Sequence, residues 1–316
     1  MRRNGPAEDG GVQAGPQFSI NQETMKILLA VDTSSASQAA LREILDRPWP
    51  ADSSFEVMSV VEPSHRWTNA EIARDAAQSA QEVIQKAVEQ LRTKGHTASG
   101  AIFSGDPKAV ILEQARKSSA DLLLVGAQGV SRIERFFLGT VAATVLRYAP
   151  CSVEVVRAKR AGSANPKILL AVDGSDSSRR AAQSIAERPW RSGTEVRVLS
   201  AVELILPAAH AFFEPPFADS AFLETARADA MKRSQDAIAE AHQILAAAGL
   251  DVSEAISVLL DTPRAIILKE ANEWVADLIV VGSHGRHGVD RFLLGSVSES
   301  VAIEAGCSVE VVRRAV

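Results

Sequence analysis

Two cysteines, Cys151 and Cys307, are too few for a disulfide framework, and no CxxC or Cys/His cluster surrounds them. Each opens an apolar run and reads as a small buried residue rather than a redox or metal group. Excess positive charge is also missing. With 34 Lys and Arg against 39 Asp and Glu, the net charge of -5 gives no general attraction to nucleic acid or an anionic membrane. No stretch of ~18 uninterrupted apolar residues occurs, which excludes a membrane-spanning helix. Residues 1–24 lack the apolar segment of a secretory signal. Their Gly, Pro, Gln and Asn content is that of a disordered leader, and a cytoplasmic location is expected. Enzyme motifs are scarce: there is no G-x-x-x-x-G-K-[ST], no G-x-G-x-x-G after either first strand, no G-x-S-x-G and no H-E-x-x-H.

What is present is a duplication. At 316 residues the chain has the length of about two domains, and 46% hydrophobic with 23% charged residues is an ordinary globular balance. "MKILLAVDTS" at Met25 recurs as "PKILLAVDGS" at Pro166, so Asp32 and Asp173 stand 141 residues apart. "DRPWP" and "ERPWR" keep that spacing through Trp49 and Trp190. Later landmarks (Pro107 and Pro263, Gly126 and Gly282, Cys151 and Cys307) are 156 apart, so the second copy carries 15 extra residues. Most of them lie in "LILPAAHAFFEPPFADS". So long a period indicates duplicated domains, expected over 25–157 and 166–316 with a polar linker at 158–165, and not a solenoid.

Within the first copy, apolar β-rich runs near Ile27–Asp32, Glu56–Val61, Ala98–Ser104, Asp121–Gly126 and Ser152–Arg157 alternate with helical patterns. Two such patterns cover Ser35–Asp46 and Glu71–Lys94; the second has an apolar stripe of Ile72, Ala76, Val83, Ala87, Val88 and Leu91. Runs such as Ile27-Leu28-Leu29-Ala30-Val31 suit strands buried on both faces. The alternation predicts an α/β fold in each copy, a parallel sheet with helices on both sides.

Ligands of such sheets bind outside the carboxyl ends of the strands. There the sequence places "GAQGVSRIERFFLGT" after Leu122–Val125 and "GSHGRHGVDRFLLGS" after Leu278–Val281. Glycines three apart (Gly126 and Gly129, Gly282 and Gly285) let backbone amides approach a ligand. After nine intervening residues, Gly139-Thr140-Val141 and Gly295-Ser296-Val297 open helices whose free amides suit phosphate oxygens. Arg286 and Arg291, like Arg132 and Arg135, add local positive charge. Together these residues describe an anion cradle. The same residues also fit plainer roles. The glycines make tight turns, Ser296 with Glu299 forms a capping box, and His284 with His287 falls short of a metal site. Phe136, Phe137 and Leu138, with Phe292, Leu293 and Leu294, read as packing residues.

Each copy resembles a universal stress protein domain, whose nucleotide-binding members carry G-x-x-G, nine residues, then G-[ST] after the fourth strand. "VDTS" and "VDGS" at the first strand, and "APCSVEVVR" and "AGCSVEVVR" at the last, match as well. The resemblance implies two tandem Rossmann-like domains of the adenine nucleotide α-hydrolase-like type, each with a five-stranded parallel sheet. It implies ATP with Mg²⁺ as ligand, its phosphates on the Gly-rich loop. Asp32 and Asp173 would face the nucleoside or hold Mg²⁺ through water; an Asp that ends a strand and caps the next helix is the alternative. Val60 and Ala201, with Val125 and Val281, would lie near adenine, and are equally expected as core.

The copies differ. The first has Thr33 for Gly174, Gln128 for His284 and Arg132 for Gly288, so its stiffer loop is expected to bind ATP less tightly. A regulatory ATP-binding protein that signals to a protein partner is the first expectation. A slow ATPase and a nucleotide-free scaffold are the alternatives. The resemblance implies that the fifth strands pair between the copies as an intrachain pseudo-dimer, with Glu154 and Glu310 as edge gatekeepers or as a pair across that junction. Assembly of two chains into a homodimer stays open. The insertion, with Phe212, Phe213 and Phe217, is either a lid or partner surface or packing for its own domain.

Overall fold

The computed structural model describes residues 24–62, 70–129, 138–158, 165–201, 220–257, 262–285 and 294–314. In the first copy the apolar runs form β1 (Lys26–Ala30), β2 (Ser54–Val61), β3 (Thr97–Ser104), β4 (Leu122–Gly126) and β5 (Ser152–Val156). Between them lie α1 (Ser35–Asp46), α2 (Ala70–Thr93), α3 (Pro107–Lys117) and α4 (Thr140–Tyr148). The second copy repeats the order with β6 (Lys167–Ala171), α5 (Asp176–Ala186), β7 (Glu195–Ala201), α6 (Ser220–Ala247) and β8 (Asp251–Ser257). It ends with α7 (Pro263–Glu273), β9 (Leu278–Gly282), α8 (Ser296–Glu304) and β10 (Ser308–Val312).

Local chemistry sets these bounds. Ser34 and Ser175 cap α1 and α5 by accepting the amides of Ser37 and Ser178. Asp106 and Thr262 cap α3 and α7, each followed by a proline whose missing N–H costs nothing at that position. On α2 the buried residues among the described side chains, which do not include Ile72, are Ala80, Ile84, Ala87, Val88 and Leu91. The expected stripe thus holds from Ala87 onward, while Ile84 takes the place given to Val83, which is only partly buried.

Each copy has the strand order expected of a doubly wound sheet, β3-β2-β1-β4-β5 and β8-β7-β6-β9-β10, with parallel pairing throughout. The two sheets merge into one of ten strands through an antiparallel β5–β10 pair. α1 and α2 cover one face of the first copy, where Ile27 and Leu29 pack with Ile44 and Leu91. α3 and α4 cover the other, and there the core runs unbroken from Val153 and Val155 to Val309 and Val311 of the second copy. The fifth strands are therefore central, and the outer strands among the described residues are β3 and β8.

That placement corrects the gatekeeper role for Glu154 and Glu310. They stand opposite one another across the β5–β10 pair, 0% and 1% exposed, too deep to deter a strand arriving from solvent. Arg47 grips Glu154 with both terminal nitrogens at 2.8 and 2.9 Å, and Arg188 holds Glu310 at 2.9 Å twice. Both guanidiniums lie over the Trp190 ring, and that of Arg47 also over Trp49. "RPW" is thus the motif that neutralises the seam. Burial works against the charge on Arg47, but Glu154 and Glu43 outweigh it and raise its pKa.

Candidate functional site

The carboxyl ends of β1 and β4, and of β6 and β9, bring the two candidate loops beside the two aspartates. In the second copy Asp173 Oδ1 accepts the amide of Ser175 at 3.0 Å, and Ser175 Oγ donates to the His284 carbonyl at 3.3 Å. In the first copy Asp32 Oδ1 accepts the Ser34 amide at 2.9 Å, and Ser34 Oγ donates to the Gln128 carbonyl at 3.3 Å. Neither aspartate is the helix cap proposed as its alternative role. Each instead fixes the serine that does the capping, and that serine in turn ties down the glycine loop.

The three glycines of each loop serve three different ends. A Cβ on Gly282 would stand 2.6 Å from the Ser177 carbonyl carbon, and one on Gly126 2.7 Å from that of Ala36. These first glycines admit the opening turn of α5 and α1 to the strand, a packing duty beyond the ligand approach expected of them. A Cβ on Gly285 would stand 3.0 Å from Asp173 Oδ2, and one on Gly129 3.3 Å from Asp32 Oδ2. The second glycines thus spare each carboxylate a Cβ at contact distance. Gly295 and Gly139 close each loop, donating to the Ser283 and Ala127 carbonyls at 2.8 Å.

Helices α4 and α8 begin without side-chain help. Gly139 and Gly295 are the cap residues, and no side chain among the described residues accepts the first amides. The capping box of Ser296 with Glu299 does not form, because Ser296 is the first helical residue rather than the cap. Glu299 turns to the other copy and accepts from Arg147 Nε at 2.6 Å. The exposed Ser296 and Thr140 side chains make no hydrogen bond to described residues. Val297 and Val141, partly buried, pack their helices onto the core. The result at each loop is a helix terminus with unmet donors, a free hydroxyl and a neighbouring carboxylate.

Val125 and Val281 are buried in the shared core at 3% and 4% exposure, and Val60 and Ala201 pack against it from the second strands. They occupy the carboxyl-terminal parts of their strands. Arg286 lies outside the described residues, as do Arg132, Arg135, Arg291, His287, Gly288 and residues 202–219 of the insertion. Among the described residues no group of three or more His, Cys, Asp or Glu is placed to hold a metal ion. Nor is any helix among them long and apolar enough to cross a membrane.

Two residues that the sequence reading passed over separate the copies. Ser298 Oγ donates to the Gly282 carbonyl at 2.6 Å, where the first copy has Ala142. Ser37 Oγ donates to Asp32 Oδ1 at 2.6 Å, whereas its counterpart Ser178 donates to the Ser175 carbonyl. Hydroxyls in equivalent positions carry no periodicity, so only the fold reveals their different partners. Cys151 is buried, and burial pushes its thiol up to about 12, as suits an inert packing residue.

The fold is shared with solved structures across almost the whole chain. A universal stress protein from Archaeoglobus fulgidus aligns over 92% of this chain and 96% of its own, at TM-score 0.61 and 21% identity. One from Pseudomonas aeruginosa described as a putative universal stress protein aligns over 92% and 94%, at TM-score 0.57 and 18% identity. In sequence, a universal stress protein of Mycolicibacterium smegmatis is 29% identical over 302 residues, 91% of this chain and 96% of that protein. One from Mycobacterium tuberculosis is 32% identical over 204 residues, 62% of this chain and 63% of the relative. The sequence model of the universal stress protein family matches residues 23–157 and again 165–313, so the chain belongs to that family as a tandem member.

Proposed function

We propose that the chain is a regulatory ATP-binding protein of the stress response, with the second copy as its tighter site. The observation that carries this reading is the start of α8. Its first amides have no capping side chain among the described residues, Ser296 offers an unused hydroxyl, and Gly285 spares the Asp173 carboxylate a Cβ at 3.0 Å. Such a terminus favours a phosphate through both its donors and its dipole. The residues present fit ATP with Mg²⁺: amides and Ser296 for phosphate oxygens, Asp173 for the cation through water, and Val281 and Ala201 beside the base. Gly282, Gly295 and Val297 shape the loop and helix that present them. In the first copy Asp32, Val60, Val125, Gly126, Gly129, Gly139, Thr140 and Val141 take the same parts.

In this reading the nucleotide orders the loop and thereby alters association with a protein partner in the cytoplasm. The chain's own contribution is to bind and orient the nucleotide. Calorimetry with Mg·ATP tests it. Wild-type protein is expected to bind, Gly285→Glu to lose at least about tenfold in affinity, and Gly129→Glu to lose less. A carboxylate at position 285 both fills the space over Asp173 and repels the phosphates. No heat in the wild type, or a larger loss from the substitution at Gly129, overturns the proposal. Turnover of ATP abolished by Asp173→Ala would instead favour a hydrolase.

A further inference from the structure

The two copies hold their first two helices differently, and the difference opens a cavity in the first copy. In the second copy Gly174 has φ +79, and a Cβ built there would stand 3.5 Å from the Ala237 Cβ of α6. Helix α6 therefore lies close over the loop that leads into α5. Arg179 on α5 then clamps the pair, donating to Glu240 on α6 at 2.5 and 3.3 Å and to Asp176 at 2.8 Å.

None of these devices exists in the first copy. Strand register matches Ala98 with Val252, since they pair with the equivalent residues Phe55 and Val196. On α2 the buried Ile84, Ala87 and Leu91 are then answered by Ile238, Ala241 and Leu245 of α6. Val83 accordingly replaces Ala237, and Lys86 replaces Glu240. On the other side Thr33 replaces Gly174, Gln38 replaces Arg179 and Ser35 replaces Asp176. Two larger side chains stand where the second copy has Gly174 and Ala237, and among the described residues no ion pair joins α1 to α2. Between α1 and α2 lies a cavity of about 450 Å³, within the range of small-molecule sites.

The chemistry of its walls selects a ligand. Val31, Leu41, Val83 and Ala87 supply an apolar floor. Two acids reach the cavity, but both are engaged. Asp32 Oδ1 accepts from Ser34 N and Ser37 Oγ, and Glu82 accepts from the Gln78 amide at 3.0 Å. Arg42 and Lys86 line the same cavity and have no hydrogen-bond or ion-pair partner among the described residues. The four lining charges sum to zero, but the two cations are the ones left without a hydrogen-bond or ion-pair partner among the described residues, and they stand beside apolar surface. The cavity lies on the sheet face covered by α1 and α2, opposite α4, and meets the first glycine loop at Asp32.

We propose that this groove is a second ligand site, which takes an amphipathic organic anion. Its apolar body lies on Val31, Leu41, Val83 and Ala87, and its carboxylate or sulfonate head meets Arg42 and Lys86. At the equivalent place in the second copy, Gly174, Ala237 and the Arg179–Glu240 pair bring the described helices together. The proposal does not rest on nucleotide binding, and Asp32 borders both the groove and the first glycine loop.

Anilinonaphthalene sulfonate, an apolar body with an anionic head that fluoresces when shielded from water, is a suitable probe for the full-length chain. Wild-type protein is expected to bind it saturably. Arg42→Gln with Lys86→Gln, both exposed positions that leave the fold intact, should weaken binding about tenfold. Gln38→Arg with Lys86→Glu rebuilds the clamp of the second copy and should abolish the groove component. The uncharged analogue phenylnaphthylamine should bind at least about tenfold more weakly than the sulfonate. Equal affinity of the sulfonate for wild type and both variants, or equal affinity of the charged and uncharged probes, overturns the proposal.

Discussion

The two copies share a sheet, a strand order and a pair of glycine loops, yet they spend their small residues differently. The second copy places Gly174 and Ala237 where two helices meet and closes that contact with Arg179 and Glu240. The first copy has larger residues there and a groove instead. At the loops the contrast is finer: Ser298 ties down the Gly282 carbonyl in the second copy, while in the first Ser37 ties down Asp32. A duplicated frame thus lets one copy become compact and the other open, because the core strands are indifferent to what happens one helix away.

The largest effect is expected where the copies are most alike. Glu154→Ala and Glu310→Ala each leave a buried guanidinium without its carboxylate, and each should cost about 3–5 kcal/mol in urea unfolding. Near-equal losses would show the seam to be one symmetric unit. A much smaller loss at Glu154 would mean that Glu43, which also pairs with Arg47 at 2.8 Å, takes over the charge.

Next comes the helix contact. Gly174→Thr puts a β-branched residue at φ +79 against Ala237, and a loss of about 1–3 kcal/mol is expected. Thr33→Gly should change stability by less, since its own turn needs no positive φ. Similar losses from both would remove the distinction drawn between the copies at this position.

Ser298→Ala turns the second loop into the first at one atom. Loss of a buried hydrogen bond should cost about 1 kcal/mol in thermal unfolding. Ala142→Ser is expected to return little, because the surroundings of Gly126 did not form around a hydroxyl.

The smallest effect is kinetic. In native protein Cys307, partly exposed, should react with a thiol reagent before Cys151, whose buried thiol is held at about 12. Equal rates would mean that the seam beside Cys151 opens as readily as the surface.

Much of this molecule was written into its order of residues. Apolar runs with both faces buried, helical stripes between them and landmarks repeated at fixed distances are local or periodic signals. They determined two parallel α/β units and located the glycine loops at strand ends. The capping role offered to Asp32 and Asp173 falls instead to Ser34 and Ser175, two residues on. What the order could not convey were partnerships made across distance. Arg47 finds Glu154 more than a hundred residues away, Glu299 leaves its own helix cap for Arg147, and Gly282 yields space to α5 rather than only to a ligand. The groove of the first copy belongs to this class as well. It arises from the gap between two packed helices, and that gap is the sum of side-chain volumes and ion pairs that meet only after the chain has folded.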